Sequence, residues 1–459
     1  MNEARYATDD ENGNGKKAME AWQSLVHVCR RWRSVVFGSP RRLDLQLVCS
    51  AKMPARDTVE VWPALPLVIQ DYHCVASRMD IIISLLKRSD LVHRTIGINL
   101  WNVPSLQLEN ISDAMQVPFP ELTHLELRRL SRFRSSQTPF PFSDSFLGGS
   151  APQLRTLYLD RIPYPGLPKL LLSTTHLTYL HLYFYHSGHI SPEVMIACLS
   201  TLTSLEELYL GFESPRPLPD RETRCRPPST HTVLPVLCRF TFRGVGEYLE
   251  YLVARIDAPR LNSLEIAFFS DIVFDTPQLA RFISHTPTLE AFNTARFVLG
   301  VGAAYITFSS AHEDLDANFD VRIYCRELDR QLLLLEQVCT SSLPSLSTLE
   351  DLYMSGRWRP QDSRNNTGYT QLQELLHSFP AVKNLYLSKE LAPCVVPALQ
   401  ELVGGRTTAV FPNLQNIFLE ELEEPGPVQD GIGVLVATRQ VTSHPIAVSH
   451  WERDADSDY

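Results

Sequence analysis

The sequence predicts an α/β solenoid, and three observations predict it. A phrase of the form L-x-x-L-x-L starts at Leu122, Leu154, Leu177, Leu205, Leu261, Leu349, Val382 and Leu414, with an aromatic version at Leu237. Outside one gap the starts lie 23 to 33 residues apart, and self-similarity at that period marks stacked repeats. Inside each phrase the last apolar residues alternate as on a strand, and between phrases apolar residues return at helical spacing. A chain of 459 residues would ordinarily divide into several globular domains, but a solenoid lengthens along one axis without a new core. Hydrophobic content of 44% with 20% charged residues belongs to a folded chain.

Taken in order, residues 1–18 carry few apolar groups and read as a disordered N-terminal segment. A short helical segment is expected over 19–42. Trp22, Leu25, Cys29, Trp32 and Val36 fall at spacings of 3, 4, 3 and 4 and line one helix face, and Val28 and Val35 start a second stripe. Gly38-Ser39-Pro40 supplies stop chemistry.

The run Leu25-Val26-His27-Val28-Cys29-Arg30-Arg31-Trp32-Arg33 resembles the second half of an F-box, whose last helices carry a V-C-[KR]-x-W-R phrase. The next stretch holds Leu43, Leu45, Leu47 and Cys49, then Val61-Trp62-Pro63 through Pro66 to Ile69. Near the end stands Ala437-Thr438-Arg439-Gln440, running on through His444-Pro445 to Trp451-Glu452-Arg453. Together these are similar to fungal F-box proteins with degenerate leucine-rich repeats, over almost the whole chain. An F-box opens with Leu-Pro and an amphipathic helix. No such pair precedes Trp22, so the F-box-like segment is expected to be truncated in its N-terminal half, by loss or by a start further upstream. The resemblance implies that Trp22, Leu25, Val28, Cys29, Trp32 and Val35 dock on a Skp-type adaptor and through it on a cullin ligase. The same helix also reads as a cap over the open end of the repeats. Arg30, Arg31, Arg33, Arg41 and Arg42 read as a solvated face. A formal net charge of −10 argues against nucleic acid as the main partner.

Residues 43–450 are expected to form the degenerate leucine-rich-repeat solenoid, an irregular horseshoe with parallel strands on its concave face and helices outside. Leu43, Leu45 and Leu47 alternate as a first strand; Met79–Leu86 reads as a helix, Ile96–Leu100 as a strand and Ser105–Met115 as a helix. Later helices are expected at Pro192–Leu202, Glu247–Ile256, Thr276–His285, Arg326–Cys339, Gln371–Phe379 and Val395–Val403. Ser191-Pro192 and Thr276-Pro277 place a capping hydroxyl before a first-turn proline. The last two leucines of each phrase point to one face of the strand, and only neighbouring repeats can bury them. The Asn or Cys that usually follows the strand is missing, since Leu130, Ile162, Tyr185, Glu213 and Leu422 stand there. Irregular turns are therefore expected. Residues 289–325 carry the weakest pattern, with one strand expected at Phe319–Ile323. Exposed loops are expected at Ser131–Ser150, Glu213–Ser229 and Gly356–Gly368, and residues 451–459 read as an acidic tail.

No catalytic constellation stands out. The sequence has no Walker-type loop, no H-E-x-x-H and no G-x-S-x-G, and Gly300-Val301-Gly302 is an isolated glycine pair. His181, His186 and His189 cluster without a Cys or carboxylate to complete a metal site. The chain is accordingly expected to be no enzyme and to need no cofactor or metal. Nine scattered cysteines without a C-x-x-C pair fit reduced thiols. The polar opening residues lack a signal-peptide core, and the longest uncharged apolar stretch, Phe297–Ala311, is too short to span a bilayer. An intracellular protein of the cytoplasm or nucleus is expected, with no membrane partner.

The functional signal lies between the last two leucines of each phrase. That outward position reads Glu126, Tyr158, His181, Tyr209, Thr241, Glu265, Tyr353, Tyr386 and Phe418, with Tyr183, Arg239 and Arg243 flanking it. Tyr and Arg are favoured at binding hot spots, although aromatic residues also suit strands. Tyr158, His181, Tyr183, Tyr209, Arg239, Tyr353, Tyr386 and Phe418 are therefore the expected contacts to a protein substrate. The resemblance implies a substrate-recognition subunit of a Skp–cullin–F-box ubiquitin ligase. The alternative is a leucine-rich-repeat interaction scaffold that does not bind the adaptor.

Overall fold

The computed structural model describes residues 29–38, 46–50, 65–74, 76–130, 141–184, 190–212, 231–269, 276–289, 292–310, 318–341, 346–356, 367–401, 411–420, 426–441 and 445–452. The chain forms two compact units, Met1–Leu177 and Thr178–Tyr459. Each is an α/β leucine-rich-repeat solenoid. Tyr185, Glu213, Leu422, His186, His189 and the Pro/Arg loop at 213–229 lie outside the described residues.

In the first unit, helix α1 (Arg30–Gly38) ends on Gly38, where stop chemistry stands. Strands β1 (Leu47–Cys49), β2 (Leu67–Asp71), β3 (Thr95–Val103), β4 (His124–Arg129) and β5 (Thr156–Asp160) pair in that order, all parallel. Leu43 and Leu45 lie outside the described residues, and the described first strand starts at Leu47. Helices α2 (Ala76–Leu86), α3 (Ser89–Val92) and α4 (Ser105–Ala114) return between strands, and α5 (Leu167–Ser173) follows β5.

The loop expected to be exposed at Ser131–Ser150 is partly core. Over 141–150, Phe142, Phe146 and Leu147 are buried. The Phe146 ring meets Phe142 at 4.6 Å and Tyr164 edge-on at 5.5 Å. A single 3-10 turn (Phe146–Gly149) stands where other repeats place a longer helix. Gly148 there has φ +64°, and a Cβ on it would run into the Pro118 ring at 2.7 Å. A stretch without periodicity predicts a loop, but its aromatic residues carry enough apolar area to favour burial.

The second unit orders its main strands β6 (Tyr179–Phe184), β7 (Glu207–Phe212), β9 (Arg239–Gly244), β11 (Ser263–Phe269), β14 (Asn318–Tyr324), β13 (Ala304–Ser309), β12 (Thr294–Leu299), β15 (Asp351–Gly356), β16 (Asn384–Leu387), β17 (Asn416–Glu420) and β18 (Ala447–Trp451). A short parallel pair, β8 (Thr232–Val233) with β10 (Ile256–Asp257), stands apart. The helices are α6 (Pro192–Leu199), α7 (Gly246–Val253), α8 (Pro277–Ser284), α9 (Leu328–Ser341), α10 (Thr367–His377), α11 (Ala392–Glu401) and α12 (Pro427–Val441). Helix α12 and strand β18 add a final repeat beyond the last leucine phrase, so Trp451, expected in the tail, belongs to the sheet.

The stretch 289–325 departs from the expected parallel stack. Strand β13 runs antiparallel to both β12 and β14, while β14 pairs parallel with β11 and β12 parallel with β15. The chain lays β12 three places beyond β11, folds back through β13, and fills the place beside β11 with β14. Period-2 burial explains this: Ala295, Phe297 and Leu299, then Ala304, Ile306 and Phe308, then Phe319, Val321 and Ile323 all face the core. Gly300–Ala303 forms the tight turn between β12 and β13, closed by Gly300 N–H to Ala303 O at 3.0 Å. The isolated glycine pair is a hairpin turn, and no helix separates these strands.

The leucines behave as the phrase requires. Leu180, Leu182, Leu208, Leu210, Leu264, Ile266, Leu352, Met354, Leu385 and Leu387 are all buried. Helix α6 is capped by Ser191, whose Oγ accepts from Val194 N–H at 3.4 Å. Helix α8 is capped differently from expectation. Thr276 makes no side-chain cap, and the Glu250 carboxylate of α7 accepts from Gln278 and Leu279 N–H at 2.9 and 2.8 Å. One repeat therefore caps the next, and a negative group sits at the positive end of that helix. Burial pushes the thiols of Cys198 and Cys394 up to about 11.

Because Leu208 is 2% exposed and surrounded by neighbouring repeats, Leu208→Ala should destabilise by about 2–5 kcal/mol. The exposed Glu206→Ala two residues away should stay within about 0.5 kcal/mol. Urea unfolding followed by circular dichroism checks both.

Candidate protein-binding face

Parallel register turns the outward position of each phrase into a column. In the second unit it runs His181, Tyr209, Thr241, Glu265, Asp320, Thr307, Arg296, Tyr353, Tyr386, Phe418 and Ser449, each the direct partner of the next. The column stands on the sheet face opposite the buried leucines, and from His181 to Phe418 its members are half-buried, flanked by one another yet open above.

Two aromatic stacks lie along it. His181 and Tyr209 stack at 3.9 Å with planes 9° apart, and Tyr183 tilts against Tyr209 at 6.3 Å. Gly211 makes room for this, since a Cβ there would run into the Tyr183 ring. Further along, Tyr353 stacks on Tyr386 at 4.0 Å and Tyr386 on Phe418 at 4.4 Å. Rings on adjacent parallel strands meet at this spacing because the strands themselves lie about 4.8 Å apart. Trp451 closes on the second stack edge-first, 5.8 Å from Tyr353 and 5.7 Å from Tyr386. Burial, with the neighbouring Tyr386 hydroxyl, drives the Tyr353 phenol far above its ordinary range, so it stays protonated.

Between the stacks the face is polar and cationic. Arg243 lies over Tyr324, Tyr183 and Phe269 at 4.8, 5.6 and 5.6 Å. Arg322 lies over Tyr305 at 4.7 Å, and Arg296 over Tyr353 at 5.2 Å. Burial raises the Asp320 carboxyl, opposed by a hydrogen bond from Thr307 and the charge of Arg322. Arg239, expected to touch substrate, sits at the strand entrance in an ion pair with Glu207. The same entrance row carries a side-chain ladder: Asn384 Nδ2 donates to Asp351 Oδ1 at 2.6 Å, and Asn416 Nδ2 to Asn384 Oδ1 at 2.7 Å.

In the first unit Tyr158 sits in register with Glu126 and Asn99. Trp101 Nε1 donates to Glu126 Oε2 at 3.2 Å, and burial raises the Glu126 carboxyl against that bond. Arg128 bridges the Trp101 ring at 5.9 Å and Asp160 at 3.0 Å. Of the expected adaptor contacts, Trp22, Leu25 and Val28 lie outside the described residues; Trp32 and Val35 fall within α1, and Cys29 precedes it. Cys29 and Val35 are exposed.

The residues missed in the sequence are Arg296, Tyr305, Thr307, Asp320, Arg322, Tyr324 and Trp451. All but Trp451 lie in the stretch without the leucine phrase. Their signal was alternation: Asp320 and Arg322 are the outward residues of the strand expected at Phe319–Ile323, and Thr294–Leu299 and Ala304–Ser309 alternate likewise.

No protein-family model matches the chain, and no curated protein matches its sequence. Among solved structures it is similar to the leucine-rich repeat-containing protein LegL7 from Legionella pneumophila, with 15% identity over 85% of this chain and 97% of that one, at a TM-score of 0.30. Among the described residues no His/Cys/Asp/Glu group is arranged to hold a metal ion, and no helix is long and apolar enough to cross a membrane.

Burial raises the folded pKa of Asp320 above the ordinary carboxylate value, so ionising it costs stability. That cost is present above the folded pKa and vanishes as pH falls below the unfolded one. Asp320→Asn should therefore raise the melting temperature near neutral pH, and the gain should shrink on acidification through the carboxylate range. Thermal melts of both proteins across that range check it.

Proposed function

We propose that the chain is the substrate-recognition subunit of a Skp–cullin–F-box ubiquitin ligase, holding a protein substrate on the sheet face of its leucine-rich repeats. The observation that carries the reading is the uninterrupted outward column of the second unit, with rings stacked at 3.9 to 4.4 Å and the leucine face turned away from it. Stacked rings present a large area at little cost in side-chain entropy, which is what a binding hot spot needs. The adaptor part of the reading rests on the V-C-R-x-W-R phrase leading into α1. In that helix the side chains of Arg30, Arg31, Ser34 and Val35 are exposed, which suits a helix whose cover comes from another subunit.

The mechanism is proximity. The receptor raises the local concentration of a substrate lysine beside the transfer machinery and contributes no covalent step. Trp22, Leu25, Val28, Cys29, Trp32 and Val35 dock the adaptor, and Tyr158, His181, Tyr183, Tyr209, Arg239, Tyr353, Tyr386 and Phe418 hold substrate.

Two experiments test this. The full chain should co-purify with a Skp-type adaptor, and Leu25→Ala with Trp32→Ala should abolish recovery. An intact chain that recovers no adaptor sinks the ligase reading and leaves an interaction scaffold. Independently, Tyr209→Ala with Tyr386→Ala should weaken capture of a bound protein about tenfold or more, the scale of hot-spot truncation, with the circular dichroism spectrum unchanged. Equal loss of fold would assign those tyrosines to structure.

A further inference from the structure

The sheet of the second unit ends on an open edge. Strand β18 pairs with β17 on one side and, among the described residues, with no strand on the other. Ala447 N–H donates to Gln415 O at 2.8 Å, so by the alternation of a parallel ladder Ser449 and Trp451 also bond towards β17. The N–H and C=O of Val448 and His450 therefore point away from the sheet. A Lys, a Pro or a carboxylate usually blunts such an edge, and β18, reading Ala447-Val448-Ser449-His450-Trp451, carries none.

The layer beneath is open too. Val448 stands in register with Ile417, which is buried in the leucine layer, yet Val448 is 43% exposed. His450 follows in register with Leu419 and is likewise exposed. On α12, Ile432, Leu435 and Arg439 are buried, while Val434, Ala437 and Val441 form an apolar stripe on the opposite side of the helix. Val434 is 54% and Val441 86% exposed.

A cover for this end has to bring both a strand and a helix. An extended peptide would satisfy β18 and leave the α12 stripe open. A second copy of the chain brings both, at the spacing β18 and α12 already have. A two-fold axis through Ser449, perpendicular to the sheet, sets β18 antiparallel to its mate and Val448 opposite His450 of the second copy. Both of those residues present N–H and C=O there, which makes the doubly hydrogen-bonded pair of an antiparallel ladder, once on each side of the axis. Charge permits the contact. Among the described residues of 426–452 the exposed carboxylates are Asp430 and Glu452, and no Lys or Arg is exposed. The axis holds the two Glu452 at opposite ends of the paired strands, roughly 20 Å apart along them. Helix α12 is about 22 Å long and 10 Å wide and β18 about 17 Å long, so each copy offers roughly 400 Å² in projection. The pair then comes near the roughly 1,000 Å² that a specific contact needs, which sets a weak, concentration-dependent association.

We propose that the chain forms a two-fold homodimer through this end, β18 against β18 and α12 against α12. This goes beyond the substrate-receptor reading and does not rest on it. Because the axis is perpendicular to the sheet, both copies keep the Tyr353–Tyr386–Phe418 stack on the same side.

Sedimentation velocity of the full chain from low to high micromolar concentration tests it, and should show a monomer passing into a dimer. Val441→Lys puts an unpaired charge into the contact at a position exposed in the single copy. It should raise the dissociation constant about tenfold or more and melt with the wild type. Val448→Pro removes an edge N–H while leaving the bonds to β17, and should do the same. Val301→Lys, exposed on the β12–β13 turn, should leave the dimer unchanged. If Val448→Pro does not fold, Val441→Lys decides alone. A chain that stays monomeric throughout overturns the proposal, and so does a dimer indifferent to Val441→Lys. A monomer that takes up an added extended peptide, with uptake lost in Val448→Pro, would assign the edge to a peptide partner and also overturns the dimer.

Discussion

The structure depends on one constraint: no repeat can bury its own leucines. Each strand is too short and each helix too narrow to close a core, so burial is shared between neighbours in register. Leu180 beside Leu208, Leu352 beside Leu385 and Leu385 beside Ile417 are direct partners on adjacent strands. A slip of one residue would turn every leucine outward, so hydrophobic burial fixes the register strictly. The outward column is a by-product of the same lock. Once the leucines are aligned, the residue between them has no choice but to align as well.

That lock explains how the fold tolerates its irregular stretch. Strands β12, β13 and β14 have no leucine phrase and, among the described residues, no helix between them, yet they present alternate apolar residues to the same face at the same spacing. An antiparallel pair satisfies the sheet as well as a parallel one, provided the inward set matches. The insertion therefore continues the core with Phe297, Ile306 and Val321 while placing Arg296, Thr307 and Asp320 in the column. Direction of the chain was free to change; the face was not.

The two faces obey different chemistry. The inner one is apolar, built from leucines and isoleucines with Phe240, Phe242, Phe297, Phe308 and Phe319 among them, and its contribution scales with the area buried. The outer one is specific. Rings stacked on neighbouring strands alternate with arginines laid on rings, and Gly211 lets the Tyr183 ring come close where a Cβ would collide with it. A chain with excess negative charge thus carries one sheet face on which arginines and aromatic rings stand together.

The sequence by itself determined the repeat, the inward leucines, most helices and the identity of the column at His181, Tyr209, Tyr353, Tyr386 and Phe418, because a local pattern of period 2 decides which way a side chain points. It could not determine which strands become neighbours. Arg243 and Arg322 are 79 positions apart (322 − 243), and only the β14–β11–β9 pairing brings both beside Ala267. The folding back of β13, the capping of α8 by Glu250 and the reach of Trp451 across to Tyr353 are likewise contacts between distant segments. Tertiary structure decided them, because local pattern sets the face of a strand and only the completed sheet sets its neighbours.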